Sequence, residues 1–250
     1  MTSPVPRDLE NKVALVTGAA GDIGRCTVER LRARGCRIVA ADVRPGVESL
    51  AQAGHIACVC GDLRAAQTAA RSVRTALEQF GALDILVNNA ARFLQQPTLE
   101  TSESQWDEIL EINARGTFLH CREALKVMSE RGSGAIVNVA SISGVIGLAA
   151  QAAYSASKGA IVQLTRVLAV EFAARGVRVN AVAPGAVITG FLDGVVPDGR
   201  ALLASVGTQH PIGRSAQPGE IADVIAFLAS PQASFMTGSI VMVDGGFTAA

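Results

Sequence analysis

The stretch VALVTGAAGDIG at 13–24 constrains this chain more than any other. Five apolar or β-branched residues run straight into a turn holding Gly18, Gly21 and Gly24, and a segment of helical period, 23–34, follows at once. A strand that empties through glycines into a helix brings bare backbone and the helix's unpaired N–H groups to one point. Such a point attracts phosphate. The next run, RIVAAD at 37–42, supplies the strand, helix and strand setting in which a glycine turn of this kind binds a nucleotide.

The same alternation continues along the chain. Apolar or β-branched runs at 13–17, 37–42, 55–62, 84–90, 135–141, 177–185 and 239–246 read as strands, and 23–34, 65–80, 103–130, 154–174 and 218–229 read as helices. Near-continuous apolar strands separated by helices predict a doubly wound α/β architecture: a parallel sheet with helices on both faces, in a single domain over 1–250. The segment 187–217 breaks the rhythm, being rich in Gly and Pro and only patchily periodic, and is expected to be an irregular substrate lid.

Composition narrows the function classes. With 49% hydrophobic and 18% charged residues the chain is globular rather than disordered. Lys+Arg 22 balance Asp+Glu 22, which predicts neither a nucleic-acid partner nor an anionic membrane surface. No run approaches the roughly 20 apolar residues that span a bilayer, and the start MTSPVPRDLENK lacks a secretory pattern, so a cytoplasmic location is expected. Cys26, Cys36, Cys58, Cys60 and Cys121 are scattered, without CxxC pairs or neighbouring histidines, and predict neither disulfides nor a metal site.

Asp42 closes the second strand, 24 positions after Gly18. A carboxylate there accepts hydrogen bonds from ribose hydroxyls and repels a 2′-phosphate, which favours NAD over NADP; Arg25 and Arg44 are the nearby cations that count the other way. Farther on, AAYSASKGAI places Tyr154 and Lys158 four apart, on one face of a helix. An ammonium about 4 Å from a phenol, at an effective dielectric of roughly 20, supplies about the 4 kcal/mol needed to bring a phenol that titrates near about 10 toward neutrality.

Taken together, these motifs resemble the short form of the short-chain dehydrogenase/reductase family, nearly end to end. The matching residues are TGAAGDIG at 17–24, Asp62 after the third strand, NNAA at 88–91, Asn113, Ser141, YSASK at 154–158, PGAVIT at 184–189 and the terminal VDGG; the interval of 13 from Ser141 to Tyr154 is also the family's. The resemblance implies a Rossmann-type fold, an NAD-linked oxidoreductase interconverting a secondary alcohol and its ketone, and a homotetramer. It implies Tyr154 as acid/base, Ser141 as the hydroxyl that polarises the substrate oxygen, and Lys158 as the holder of the nicotinamide ribose and stabiliser of tyrosinate. Asn113 would kink its helix and hold a water of the proton relay. The dinucleotide would lie along Gly18, Gly21, Asp22, Ile23 and Gly24, then Asp42, Asp62, Leu63, Asn89 and Ala90, and finally Pro184, Gly185, Val187 and Thr189, the last on the carboxamide.

Two departures stand out. Asp22 replaces the middle glycine of the family's turn and is expected to point outward, away from a pyrophosphate; Ala91 stands where NNAG is usual. Around the reaction centre, Ile142, Ser143, Leu148, Gln151, Ala186, Phe191 and Leu192, with Arg92, Leu94 and Gln95, suggest a small to medium alcohol, polyols and sugars included. His210 and Arg214 read as loop residues, and Trp106 as a packing or subunit-contact residue. A 3-oxoacyl carrier-protein reductase using NADPH is the same-fold alternative. A non-catalytic NAD-binding sensor or scaffold is the alternative of another class.

Overall fold

The computed structural model describes residues 7–249 except 194 and 197; positions 1–6 of the opening segment, and 194 and 197 of the expected lid, lie outside the described residues. Seven parallel strands form one sheet in the order β3-β2-β1-β4-β5-β6-β7. They are β1 (Val13–Thr17), β2 (Arg37–Asp42), β3 (Ile56–Cys60), β4 (Ile85–Asn88), β5 (Gly134–Val139), β6 (Val177–Pro184) and β7 (Ile240–Val243). All seven expected strands are present, most of them shorter than the apolar runs that signalled them. The run outlasts the strand because the chain stays buried past its last ladder bond, as at Ala140 and Ser141.

Side-chain alternation divides the core in two. From β1, Ala14 and Val16 pack with Val28 and Leu31 of α1 (Asp22–Ala33) and with Ile221, Ile225 and Leu228 of α7 (Pro218–Ala229). Val13 and Leu15 face the opposite layer, built from Val73 and Ala76 of α2 (Ala66–Phe80), Cys121, Leu125 and Met128 of α4 (Gly116–Arg131), and Leu168 of α5 (Ala152–Phe172). A strand buried on both faces needs apolar residues at every position, which is why VALVT shows no period-two pattern. Cys58 and Cys60 sit two apart on β3 and both pack toward the α1 and α7 layer.

Two expectations change. The helix expected over 103–130 is broken: α3 (Glu103–Leu110) passes into a π-helical turn (Glu111–Arg115) before α4 begins. Asn113, wholly buried in that turn, is bound on all sides, and π-turns of this kind are characteristically placed at functional sites. The segment 187–217 is not irregular throughout. It contains a 3₁₀ turn (Gly190–Leu192) and a helix, α6 (Gly199–Val206), in which Leu202 and Leu203 approach the cleft. Among the described residues, no helix is long and apolar enough to cross a membrane.

Candidate active site

The strand order reverses between β1 and β4, and in sheets of this kind a crevice opens at that point beyond the strands' C-terminal ends. Here it is a cleft of about 990 Å³, lined at one end by Gly18, Gly21 and Asp42 and at the other by Ser141, Tyr154 and Lys158. The glycine turn is tightly built. Gly18 has φ 64°, and a Cβ there would lie 2.8 Å from the Ala90 Cα; a Cβ on Gly24 would lie 2.1 Å from the Gly18 carbonyl oxygen. Only glycine fits either place, and the turn so formed presents the α1 N-terminus to the cleft, a setting that suits a diphosphate.

Neighbouring side chains brace this end. Asn89 Nδ2 donates to the carbonyls of Thr17 (3.1 Å) and Gly18 (3.0 Å), while Thr17 Oγ1 accepts from the backbone N–H of Asn89 and Ala90. Asp42 is 3% exposed; its Oδ2 accepts from Ala20 N–H at 2.9 Å and its Oδ1 from Arg44 N–H at 2.9 Å and Arg44 Nε at 3.1 Å. Asp62 is similarly paired with Arg64, which holds its carboxyl below the usual carboxylate range. Leu63 lines the cleft beside it.

Asp22 does not simply point outward, as its sequence position suggested. Its Oδ2 accepts from Gly190 N–H at 2.7 Å and lies 3.5 Å from Arg200 Nη2, so the carboxylate crosses to the segment after β6.

At the other end, Tyr154 and Lys158 share one face of α5, at 7% and 1% exposure. Lys158 Nζ donates to the Val139 carbonyl at 2.8 Å and lies 5.7 Å from the centre of the Tyr154 ring. Burial dominates both groups. It pushes the Tyr154 phenol up to about 12, against the opposing hydrogen bond from Ser141, and brings the Lys158 ammonium down to about 7. The expected lowering of the phenol by a close ammonium is outweighed by burial, the lysine amine being committed to backbone.

Asn113 is firmly held. Its Oδ1 accepts from Arg92 N–H (2.8 Å), and its Nδ2 donates to Arg92 O (2.9 Å) and Ser157 Oγ (2.9 Å). Both amide protons are used, so the side chain ties the loop after β4 to α5.

Several lining residues form combinations that reading one position at a time did not find. Ser141 Oγ donates to Ser143 Oγ (3.3 Å), which donates to Gln151 Oε1 (2.9 Å), so Ser143 and Gln151 orient the hydroxyl beside Tyr154. Phe93 was missed; its ring meets Tyr154 edge-on at 4.9 Å and Phe191 at 6.0 Å, with Tyr154 and Phe191 6.4 Å apart. The available signal was ARF after the fourth strand, where Phe93 lies between Arg92 and Leu94. Arg92 and Gln95 line the cleft, as do Ile142, Leu148, Ala186 and Leu192, but Leu94 does not; Arg92 is drawn to Glu108 at 2.7 Å. Pro184, Gly185, Val187 and Thr189 line the floor between the two ends. His210 is more than a loop residue: it is buried, lines the cleft and accepts Ala186 N–H on Nε2 at 3.1 Å. Arg214 pairs instead with Glu220 at the start of α7.

Comparison with known proteins gives concordant relatives. A family model described as enoyl-(acyl carrier protein) reductase matches residues 18–248. Cis-4-hydroxycyclohexanecarboxylate dehydrogenase of Sinomonas cyclohexanicum is 45% identical, over 95% of this chain and 97% of its own length. D-threitol dehydrogenase of Mycolicibacterium smegmatis is 42% identical, over 96% and 94%. The crystal structure of gox2181 superposes with a TM-score of 0.90 at 37% identity, covering 98% of each chain.

Proposed function

The chain belongs to the short-chain dehydrogenase/reductase family, and from that premise we propose that it is an NAD-dependent oxidoreductase interconverting a secondary alcohol and its ketone, with Tyr154 as the acid/base. The observation that carries this reading is the convergence of Ser141, Tyr154 and Lys158 at one end of a cleft whose other end is the glycine turn. The dinucleotide supplies hydride acceptance and donation. The protein's part is position and proton management. In the oxidation direction the Ser141 hydroxyl holds the substrate oxygen, Tyr154 takes the alcohol proton, and Lys158 holds the ribose while its charge favours the phenolate.

Binding of the dinucleotide falls to the backbone of Gly18, Gly21, Ile23 and Gly24, without Asp22, whose carboxylate is taken up by Gly190, then to Asp42, Asp62, Leu63, Asn89 and Ala90, with Pro184, Gly185, Val187 and Thr189 toward the nicotinamide. The buried carboxylate of Asp42 supports NAD, since a 2′-phosphate beside it meets a like charge. For the substrate, the Phe93, Tyr154 and Phe191 rings offer apolar faces and edges to a saturated ring, and one of the relatives acts on a hydroxycyclohexane. We therefore favour an alicyclic secondary alcohol over a linear polyol, with segment 187–217 as the lid. A homotetramer fits the groove between α4 and α5, where Phe118, Leu125, Leu168 and Phe172 are bordered by Arg122, Lys126, Glu171 and Arg175.

A second reading is reduction of a 3-oxoacyl carrier-protein thioester with NADPH, which shares only the carrier-protein class with the enoyl reduction named in the description of the matching family model. Initial rates with NAD and NADP on cyclohexanols, threitol and hydroxyacyl thioesters separate the two. The reading requires NAD-linked turnover of a cyclohexanol that Tyr154→Phe abolishes; turnover unchanged in that variant overturns the mechanism, and NAD binding with no turnover of any alcohol turns the protein into a sensor or scaffold.

A further inference from the structure

Asp22 joins two parts of the molecule that are 168 residues apart in sequence: the start of α1, which forms the phosphate-facing turn, and the segment after β6. Its two partners there have different consequences. Gly190, whose N–H it accepts at 2.7 Å, opens the 3₁₀ turn that carries Phe191 to within 6.4 Å of the Tyr154 ring. Arg200, 3.5 Å away, lies in the first turn of α6, whose Leu202 and Leu203 line the cleft. One carboxylate thus touches both the beginning and the later part of the segment that roofs the site.

The place is crowded with charge. A Cβ on Gly190 would lie 2.6 Å from Asp193 Oδ2 and 3.4 Å from Arg200 Nη2, so Asp22, Asp193 and Arg200 gather around one glycine. The Asp22 side chain is 38% exposed and that of Arg200 57%, which makes the ion pair the weaker contact and the short bond to the backbone N–H the stronger one.

We propose that Asp22 is a positioning residue that holds the Gly190–Leu192 turn and Arg200 of α6 at the substrate end of the cleft before the dinucleotide arrives, so that Phe191 already stands beside Tyr154 when the alcohol enters. This rests on the proposed alcohol dehydrogenase reading for its kinetic consequence, but the tether itself does not. A glycine at position 22 leaves the turn free to approach a phosphate and supplies no acceptor for Gly190. Aspartate gives up backbone freedom for that acceptor, and its negative charge near the phosphate site makes a direct cofactor contact an unsuitable role for it. The Gly190–Leu192 turn is held in advance, and the cost of placing Phe191 is removed from substrate binding.

The test combines proteolysis with kinetics on the full-length protein. Trypsin cleaves after Arg200, so the rate of that single cut reports the freedom of the segment with or without NAD and independently of turnover. Asp22→Gly is expected to speed cleavage at Arg200 about tenfold in the absence of NAD, the effect of losing one charge-assisted hydrogen bond in a partly exposed setting. Asp22→Asn, which keeps an oxygen for Gly190 N–H but loses the charge, falls between it and the wild type, as does Arg200→Lys. The Asp22→Gly variant raises the alcohol KM by about the same factor, more than it changes kcat, and does not weaken the equilibrium binding of NAD. Wild-type cleavage rates in both Asp22 variants, verified as folded by their melting curves, overturn the tether. Weakened NAD binding in parallel with the alcohol KM overturns it in favour of a cofactor contact. Absence of any alcohol turnover in the wild type defeats the functional reading and leaves the proteolysis result standing by itself.

Discussion

Tyr154 is the only tyrosine in the chain, so the appearance of tyrosinate absorbance on alkaline titration reports this one phenol. In the ligand-free protein burial holds it at about 12, against an ordinary value of 10.0. At pH 8 roughly one molecule in ten thousand carries the phenolate, and making it half ionised there requires about 5 kcal/mol. One positive charge at about 4 Å, at an effective dielectric of roughly 20, supplies about 4 kcal/mol. Lys158, brought down to about 7 by burial, is mostly neutral at pH 8 and supplies little of this, its amine donating to the Val139 carbonyl. The charge of an oxidised nicotinamide would supply that amount once. Saturation with NAD is thus expected to move the tyrosinate midpoint from about 12 to about 9. A ligand-free midpoint near 10 or below refutes the burial argument. A midpoint that NAD leaves unmoved refutes the assignment of Tyr154 as the base.

Other outcomes follow from the same structure. Lys158 titrates at about 7 when folded and near 10.5 when unfolded, so between those values the unfolded chain binds the extra proton and stability rises with pH. Urea unfolding is expected to give about 2 kcal/mol more stability at pH 9 than at pH 7 from this group, an increment absent in Lys158→Met. Asp42→Ala removes the carboxylate that Arg44 now pairs with, freeing a guanidinium for a 2′-phosphate; the ratio of kcat/KM for NAD to that for NADP is expected to fall at least tenfold. Phe93→Ala removes the edge contact to Tyr154 and is expected to raise KM for a cyclohexanol roughly tenfold while changing that for threitol little; equal losses on both count against the ring-shaped substrate. Leu15→Ala, at a fully buried position of β1, is expected to cost about 2–5 kcal/mol by chemical denaturation.

What the sequence reveals about this protein divides by the range of the interactions concerned. The glycine turn and the strands are legible because their causes are local: Gly18 and Gly24 answer to contacts at the turn and its neighbouring strand, and VALVT is apolar at every position because both of its faces are covered. The interval of 13 from Ser141 to Tyr154 is legible differently, through its resemblance to the family's spacing. The direction of Asp22 is not legible, since it depends on a donor 168 residues away, and neither is the role of Phe93, which acquires meaning only when the loop after β4 meets α5. The phenol is the sharpest case. Spacing places Lys158 one helical turn from Tyr154 and suggests a lowered pKa, whereas the fold buries both and sends the lysine to Val139, reversing the sign. Residue identity announces which groups do chemistry; packing decides their protonation until a ligand arrives. Tyr154 and Lys158 thus sit where burial opposes the charge of each, and a positive charge added to the cleft would act first on the phenol.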